Sequence, residues 1–198
     1  MITKAEGYDR IQVMGTTIDD ACGEAFDKVA KFYDIGFPGG VAIDRLSRTG
    51  NARAYRFPKP SLHKGEAFYD VSYSGLKTAV IHQSAQFWDG TSEKSVANIA
   101  ASFQKAAIDI LVDRTLAAAS DTGLRRIVAG GGVAANSYLR ERMAAEQGIE
   151  VIFPSLKLCG DNAAMVAGFG FHELAAGKVS DFSLNAEARV PMFKRSYP

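Results

Sequence analysis

Cysteine is scarce in this sequence, and its scarcity excludes two kinds of protein. Cys22 and Cys159 are the only cysteines among 198 residues, too few for a small secreted fold held together by disulfides. They are also too few for a thiolate zinc site without histidine partners. The three histidines have no His-x-x-x-His or similar spacing that would supply such partners. We therefore predict a reduced, cytoplasmic protein.

Long apolar runs and an excess of one charge are missing as well. No stretch reaches the ~20 apolar residues that a membrane-spanning helix needs, and the first residues lack a signal-peptide pattern, so no membrane association is predicted. With 23 Lys+Arg against 22 Asp+Glu, the net charge of +1 gives no general affinity for nucleic acid. Any nucleic-acid contact would need a local basic patch. The 47% of hydrophobic residues suffice for the core of one domain or of two small ones.

The most informative feature that is present is a glycine run at residues 130–132. It follows the apolar residues 127–129 and precedes Asn136 and an amphipathic segment at 137–147. This order predicts a strand, a turn and a helix. Successive glycines let a ligand lie against the backbone, and the first N–H groups of a helix are donors at a positive dipole end. A second strand at 149–153 completes a βαβ unit, which predicts an α/β fold with a nucleotide at the turn.

Two common nucleotide motifs fit this sequence poorly. Gly130, Gly132 and Ala135 satisfy the Gly-x-Gly-x-x-(Gly/Ala) pattern of Rossmann dinucleotide sites. However, Glu150, the candidate ribose acid, begins the second strand, whereas a Rossmann acid ends it. The string Ser-Gly-Leu-Lys-Thr at 74–78 lacks the spacing of a P-loop, which is therefore rejected.

Apolar periodicity predicts the other elements and separates buried from charged faces. On the first helix, Asp20, Glu24 and Asp27 share one side, where Glu24–Lys28 and Asp27–Lys31 are favoured as ordinary surface pairs. The predicted elements are strands at 10–14 and 68–73, a helix capped by Thr17 or Asp19, helices at 41–49 and 92–120, a helix capped by Ser74, and a helix that begins at Asp161 and runs to Ala176.

One segment, residues 45–64, is basic and holds no acidic residue. Phosphates bind guanidinium and ammonium groups, and unstacked RNA bases stack on aromatic rings, so the segment is a candidate RNA contact. A solvated loop whose arginine stems lie along the surface is an equally favoured interpretation. Its basic residues are Arg45, Arg48, Arg53, Arg56, Lys59 and Lys64, and its ring residues are Tyr55, Phe57 and His63.

Five motifs together are more specific than any one of them. They are Asp-Asp-Ala-Cys-Gly-Glu-Ala-Phe-Asp-Lys at 19–28, Pro-Gly-Gly at 38–40, Ser-Tyr-Ser-Gly-Leu-Lys-Thr at 72–78, the glycine run with Asn136, and Cys-Gly-Asp-Asn-Ala-Ala at 159–164. In this order they resemble the TsaD family, the tRNA adenosine threonylcarbamoyltransferases formerly called Gcp or O-sialoglycoprotein endopeptidase. The resemblance covers nearly the whole chain and is closer to the bacterial branch.

The resemblance implies an actin-like, sugar-kinase-like ATPase fold of two RNase H-like lobes with the active site in the cleft between them. Residues 1–198 are expected to form a single C-terminal lobe. The N-terminal lobe, with the paired metal-binding histidines, is expected to be absent, which would leave the isolated chain inactive.

The resemblance also implies a function and a set of site residues. The activity is that of an acyltransferase, which moves the threonylcarbamoyl group from threonylcarbamoyl-adenylate to an adenosine adjacent to the tRNA anticodon. A TsaB-like paralogue and a TsaE-like ATPase are the implied partners. A non-catalytic nucleotide-binding or dimer-scaffold paralogue and a glycopeptidase are the alternatives. The implied contacts to ATP, ADP or the adenylate are Asp27, Gly40, Asp44, Gly131, Gly132 and Asn136, and Asp161 is the implied ligand of one Fe²⁺ or Zn²⁺ ion.

Overall fold

The computed structural model describes residues 1–59 and 68–186, in which helices and strands form an α/β fold as predicted. The strands make two small sheets, β1–β2 antiparallel and β3–β4 parallel. In these two ranges no helix combines the length and the apolar character needed to span a membrane. The elements are β1 (Ile2–Ala5), β2 (Ile11–Gly15), α1 (Cys22–Phe32), α2 (Gly39–Ser47), α3 (Ser74–Phe87), α4 (Val96–Thr122), β3 (Arg126–Val128), α5 (Ser137–Ala144), β4 (Glu150–Ile152) and α6 (Ala163–Ala175), with 3₁₀ turns at Gly132–Ala135 and Leu156–Leu158.

The longest helix, α4, lies at the centre of the core. Phe103 of α4 is fully buried and packs on Phe26 of α1, with 4.9 Å between the ring centroids. The helix also packs against α2, α3 and α5. The Ser95 side chain caps its first turn, and Gly123, with a φ of 68°, ends it. The prediction of a long scaffold helix is therefore confirmed, although the helix begins after residue 92.

The starts of α1 and α3 are not capped as predicted. Neither Thr17 nor Asp19 caps α1, whose N-cap is Ala21. The Asp19 carboxylate instead accepts hydrogen bonds from the backbone N–H groups of Tyr73 and Ser74, at 2.8 and 3.2 Å. Ser74 is the first residue of α3 and not its cap, because a carboxylate 55 positions away satisfies these donors.

The prediction of a strand at residues 68–73 is wrong. Val71 makes an isolated parallel bridge to Thr17. Its N–H donates to the Thr16 carbonyl at 2.9 Å, and its carbonyl accepts from the Ile18 N–H at 3.0 Å. After this bridge, the backbone N–H groups of Tyr73 and Ser74 donate to the Asp19 carboxylate and not to a neighbouring strand. The pairing therefore ends after one bridge.

The βαβ unit predicted around the glycine run is confirmed in its parallel pairing. β3 and β4 are in register, with Arg126 opposite Glu150. The connecting helix α5 is shorter than predicted and ends at Ala144. The glycine run does not lead straight into α5, because the 3₁₀ turn Gly132–Ala135 comes first. In the other sheet, β2 confirms the strand predicted at 10–14, while β1 is an element that the pattern does not predict.

Candidate functional site

α1 and α2 meet at Asp27 and Gly39. Asp27 Oδ1 accepts a hydrogen bond from the Gly39 N–H at 2.7 Å. A Cβ on Gly39 would lie 2.6 Å from the Asp27 Cα and 2.7 Å from the Phe26 carbonyl oxygen, so only glycine fits there. A Cβ on Gly40 would meet no described atom within 4 Å. α2 therefore begins with one glycine packed against α1 and a second beside open space, where a ligand can reach the backbone.

The acidic side of α1 contains only one of the two surface pairs that its spacing predicts. Lys28 Nζ lies 2.7 Å from Glu24 Oε1, and this hydrogen bond lowers the pKa of Glu24. The predicted pair of Asp27 with Lys31 is absent, because the Asp27 carboxylate is bound to the start of α2. Asp27 is thus part of a helix–helix contact and not of a surface ion pair.

A hollow of about 430 Å³ lies beside Asp27, between α1 and the segment that precedes α2. Glu24 and Phe37 also line it, and the Phe37 side chain is 86% exposed. Of the predicted ligand residues, all of which fall in the described ranges, Asp27 alone lines this hollow. Asp27 therefore borders this hollow and also binds the first residue of α2.

Asp44 joins α2 to the start of α5. Its Oδ1 accepts hydrogen bonds from the Ser137 hydroxyl at 2.7 Å and from the Ser137 N–H at 3.2 Å. The guanidinium of Arg48 lies 3.5 Å from the other carboxylate oxygen. Ser137 directly follows Asn136, the N-cap of α5. The contact joins two residues that are 93 positions apart in the sequence. It thus holds the α2 segment that carries Asp44 next to the α5 segment that carries Asn136.

Asn136 is buried, with 8% of its surface exposed. Its Oδ1 accepts from the Leu139 N–H at 2.9 Å and caps α5. Its Nδ2 donates to Gln104 Oε1 at 2.8 Å, and Gln104 Nε2 donates to the Ser47 hydroxyl at 2.8 Å. Sequence reasoning does not find Gln104 or Ser47. The available signal is weak, because Gln104 is one of four buried polar residues of α4, with Asn98, Ser102 and Asp109.

The glycine turn is open on its outer side. Gly131 has a φ of 82°, which favours glycine, and its carbonyl accepts from the Ala134 N–H at 2.9 Å. A Cβ at any of residues 130–132 would meet no atom of the described chain within 4 Å. Glu150, the acid considered for a Rossmann site, is ion-paired with Arg126 at 2.7 Å and begins β4. The turn therefore offers backbone to a ligand without the acid that a Rossmann site needs.

The candidate metal ligand Asp161 precedes α6 but does not cap it. Asn162 is the N-cap, and its Oδ1 accepts from the Met165 N–H at 3.0 Å. The same carboxamide donates to the Gly160 carbonyl at 3.0 Å, which fixes it in the capping position. The prediction that the helix begins at Asp161 is therefore wrong. In the described part of the chain no three His, Cys, Asp or Glu residues are grouped so as to hold a metal ion.

Arg140 connects the glycine turn with the loop before Asp161. Its Nε donates to the Ala134 carbonyl at 2.7 Å, and its guanidinium also donates to the Pro154 carbonyl at 2.8 Å. The Cys159 sulfur lies 3.3 Å from the same guanidinium. One arginine therefore holds together two segments that carry predicted site residues.

The two ring side chains of the basic segment that the structure describes, Tyr55 and Phe57, are not available for stacking on bases. Tyr55 and Phe57 are buried and stack on each other with 5.6 Å between centroids. Arg53 and Arg56, which alternate with them, are exposed. The structure thus contradicts base stacking at Tyr55 and Phe57 and leaves phosphate contact by the arginines as a prediction. Outside the described residues lie 60–67, which include His63 and Lys64.

Comparison with known proteins identifies the family. The family model described as TsaD: tRNA N6-adenosine threonylcarbamoyltransferase matches residues 1–168. A protein of that name from Treponema denticola is 57% identical over 195 residues, which cover 98% of this chain and 58% of the relative. The Treponema pallidum protein of that name is 47% identical over 195 residues, covering 98% and 55%. The one from Borreliella afzelii is 45% identical over 197 residues, covering 100% and 57%.

The chain thus spans little more than half the length of these curated relatives, 55–58%. The family predicted from the five motifs is confirmed over most of the sequence. This chain belongs to the TsaD family, whose fold is of the actin-like ATPase type.

Proposed function

We propose that this chain supplies the C-terminal, RNase H-like lobe of a two-lobe tRNA threonylcarbamoyltransferase, and with it one wall of the site for threonylcarbamoyl-adenylate or an adenine nucleotide. The observation that carries this proposal is the contact of the Asp44 carboxylate with Ser137, next to Asn136. It holds α2 against the start of α5: Asp44 lies one helical turn after the open Gly40, and Ser137 follows the open glycine run at residues 130–132 by five positions. The relatives' printed name, tRNA N6-adenosine threonylcarbamoyltransferase, supports the reaction.

The proposed reaction is an acyl transfer. The exocyclic N6 amine of an adenosine beside the anticodon forms a bond to the carbonyl carbon of threonylcarbamoyl-adenylate. The bond from that carbon to the phosphate oxygen breaks, one amine proton is released, and AMP leaves. Because an adenosine amine is a poor nucleophile, the rate depends strongly on how the two reactants are held.

The side chains of this lobe are suited to holding the adenylate. The carboxylates of Asp27 and Asp44 are acceptors for ribose hydroxyl groups. Asp27 Oδ1 is bound within the fold, so its other oxygen is the one proposed to meet the ligand. Asp44 Oδ1 is held by Ser137, and its Oδ2, which lies 3.5 Å from the exposed Arg48 guanidinium, is the oxygen proposed to meet the ligand. Gly40 and residues 131–132 let the nucleotide approach the backbone, and Asn136, the N-cap of α5 directly after the turn, is the amide proposed to contact it.

In the full-length protein, Asp161 is proposed as one ligand of an Fe²⁺ or Zn²⁺ ion, which would polarise the acyl group as a Lewis acid. A single carboxylate does not make a metal site, and the described residues offer no second and third ligand around it. We therefore expect this chain by itself to bind neither ion tightly. Stoichiometric submicromolar binding in a calorimetric titration would contradict that expectation.

The tRNA is proposed to meet the exposed Arg53 and Arg56 through its phosphates. A TsaB-like paralogue and a TsaE-like ATPase are the proposed protein partners, in the cytoplasm. Support for the tRNA contact comes from the exposure of the two guanidinium groups and from the relatives' printed name.

The proposal is tested in a chimera in which this chain replaces the aligned 58% of the Treponema denticola relative. Transfer of the threonylcarbamoyl group to tRNA is expected in the chimera. A Gly40→Ala change should lower the transfer rate by about tenfold or more, since a methyl group in the ligand space would displace the adenylate from its reactive position. Gly75→Ala is the matched control, because Gly75 is also the second residue of its helix and also has open space at its Cβ. Equal activities of the two variants, or a chimera that folds without transferring, would overturn the proposal.

A further inference from the structure

A closed ring of hydrogen bonds links the two predicted nucleotide segments through α4. Asn136 Nδ2 donates to Gln104 Oε1, Gln104 Nε2 donates to the Ser47 hydroxyl, and that hydroxyl donates to the Asp44 carbonyl at 2.9 Å. The Asp44 carboxylate then accepts from Ser137, which is bonded covalently to Asn136 and closes the ring. Gln104 is the member that belongs to neither nucleotide segment.

The direction of each hydrogen bond in this ring is fixed by two backbone groups, the Leu139 N–H and the Asp44 carbonyl. The Leu139 N–H can only donate, so the atom of Asn136 that faces it must be Oδ1, and Nδ2 must face Gln104. Gln104 must then present Oε1 to Asn136 and Nε2 to Ser47. The Asp44 carbonyl can only accept, which sets the Ser47 hydroxyl as its donor. The carboxamide of Asn136 therefore has one orientation that satisfies all its partners.

Burial makes this orientation costly to change. Gln104 is 5% exposed, and Asn136 and Ser47 are 8% and 9% exposed. A buried polar atom that loses its partner cannot turn to water for a replacement. Without Gln104, the Asn136 Nδ2 would lose the acceptor that it has among the described residues. The carboxamide could then rotate, at the expense of the cap on α5.

We propose that Gln104 is a positioning residue for the nucleotide. Through its carboxamide it fixes the orientation of Asn136 and the distance between Asn136 and Asp44. The inference rests on the proposed function, because it takes these two residues as nucleotide contacts. Gln104 itself is not proposed to touch the ligand, and its effect on affinity passes through Asn136.

The test compares two buried amides on the same helix. Asn98 of α4 is 8% exposed and, like Gln104, makes two hydrogen bonds: it accepts from the Asn51 N–H at 2.6 Å and donates to the Glu93 carbonyl at 2.7 Å. The variants Gln104→Leu and Asn98→Leu each remove a buried amide of this kind. Only the first amide belongs to the ring. Both variants are titrated with ADP by protein-observed NMR, and their melting temperatures are measured.

We expect both substitutions to lower the melting temperature, and Gln104→Leu alone to raise the dissociation constant for ADP, by about tenfold for one well-placed contact. In the Asn136→Ala background, adding Gln104→Leu should raise it by less than about twofold, because the group through which Gln104 acts is already gone. Equal dissociation constants for the two single variants, or full additivity with Asn136→Ala, would overturn the inference alone. A parent chain that binds no ADP would overturn it together with nucleotide binding by this lobe.

Discussion

The packed body of the protein and its α6 segment differ sharply in burial. In the body, Phe26 and Phe103 are 2% and 0% exposed, and the helices that carry the predicted nucleotide residues pack around them. No residue of α6 is buried within the described chain. Its large apolar side chains, each more than half exposed, are Met165, Val166, Phe169, Phe171 and Leu174. The nucleotide candidates are therefore supported by a core, whereas the metal-ligand candidate Asp161 precedes a helix that has none.

The two regions are connected by a few identifiable contacts. Arg140 ties the glycine turn to Pro154 and Cys159, in the loop that leads to α6. Nearer the C-terminal end of α6, the ring of His172 stacks on the ring of Tyr8, with 5.1 Å between centroids. These contacts are local, so the body and α6 are expected to respond differently to substitution.

The largest expected difference comes from removing one phenylalanine in each region. Phe103→Ala should lower the free energy of unfolding by about 3–5 kcal/mol, because it leaves a cavity in the core. Phe171→Ala, at a position 68% exposed, should change it by less than about 0.5 kcal/mol. Urea unfolding followed by the fluorescence of Trp88 measures both. Similar losses for the two variants would show that α6 is as firmly packed as the body.

The connection itself should have an intermediate effect. Arg140→Ala leaves the Ala134 and Pro154 carbonyls without their donor and should cost about 1.5–3 kcal/mol. Arg126→Ala is the control, because the Arg126–Glu150 pair is exposed and worth about 0–1 kcal/mol. Hydrogen exchange should also become faster at residues 155–161 in the Arg140 variant only. Unchanged exchange there would mean that other contacts hold the loop.

The smallest expected effect is on the stability of the packed body at low pH. Hydrogen bonds from Lys77 of α3 and then Lys28 of α1 lower the pKa of Asp20 below its ordinary value of 3.8. A carboxyl group whose folded pKa is lowered stabilises the protein above its unfolded pKa and loses that contribution as the pH falls through the folded value. Asp20→Asn and Lys77→Met should each flatten the loss of stability below about pH 4. If the acid titration of Trp88 fluorescence keeps its slope in both variants, Asp20 does not link α1 to α3 energetically.

The elements that the sequence predicts well are those set by neighbouring residues. The glycine run between two apolar segments predicts the parallel pair β3–β4, and a long apolar period predicts α4. The errors arise where a distant group competes with a local pattern. Asp19 binds the backbone N–H groups of Tyr73 and Ser74 at the start of α3, where the local pattern predicts Ser74 as the cap. Val71 makes one bridge where the pattern predicts a strand. Such partners are not visible in a window of neighbouring residues.

The same distinction applies to the candidate site. Motif resemblance selects Asp44 and Asn136, and the structure brings their segments together through Ser137. It does not select Gln104, because a glutamine among several polar residues of a long helix has no local signature of its partners. The role expected for Tyr55 fails for a related reason, since a ring interleaved with arginines can face either the core or solvent.

The internal hydrogen bonds of Asp27 and Asp44 have a consequence for the thermodynamics of the nucleotide binding proposed for these two residues. Each carboxylate is oriented by a backbone N–H group before any nucleotide arrives, Asp27 by Gly39 and Asp44 by Ser137. The rotamer freedom of these side chains is therefore lost during folding and not during association. A ligand that meets such acceptors binds with a smaller entropic penalty, and the acceptors discriminate more strongly against molecules whose hydroxyl groups are placed differently.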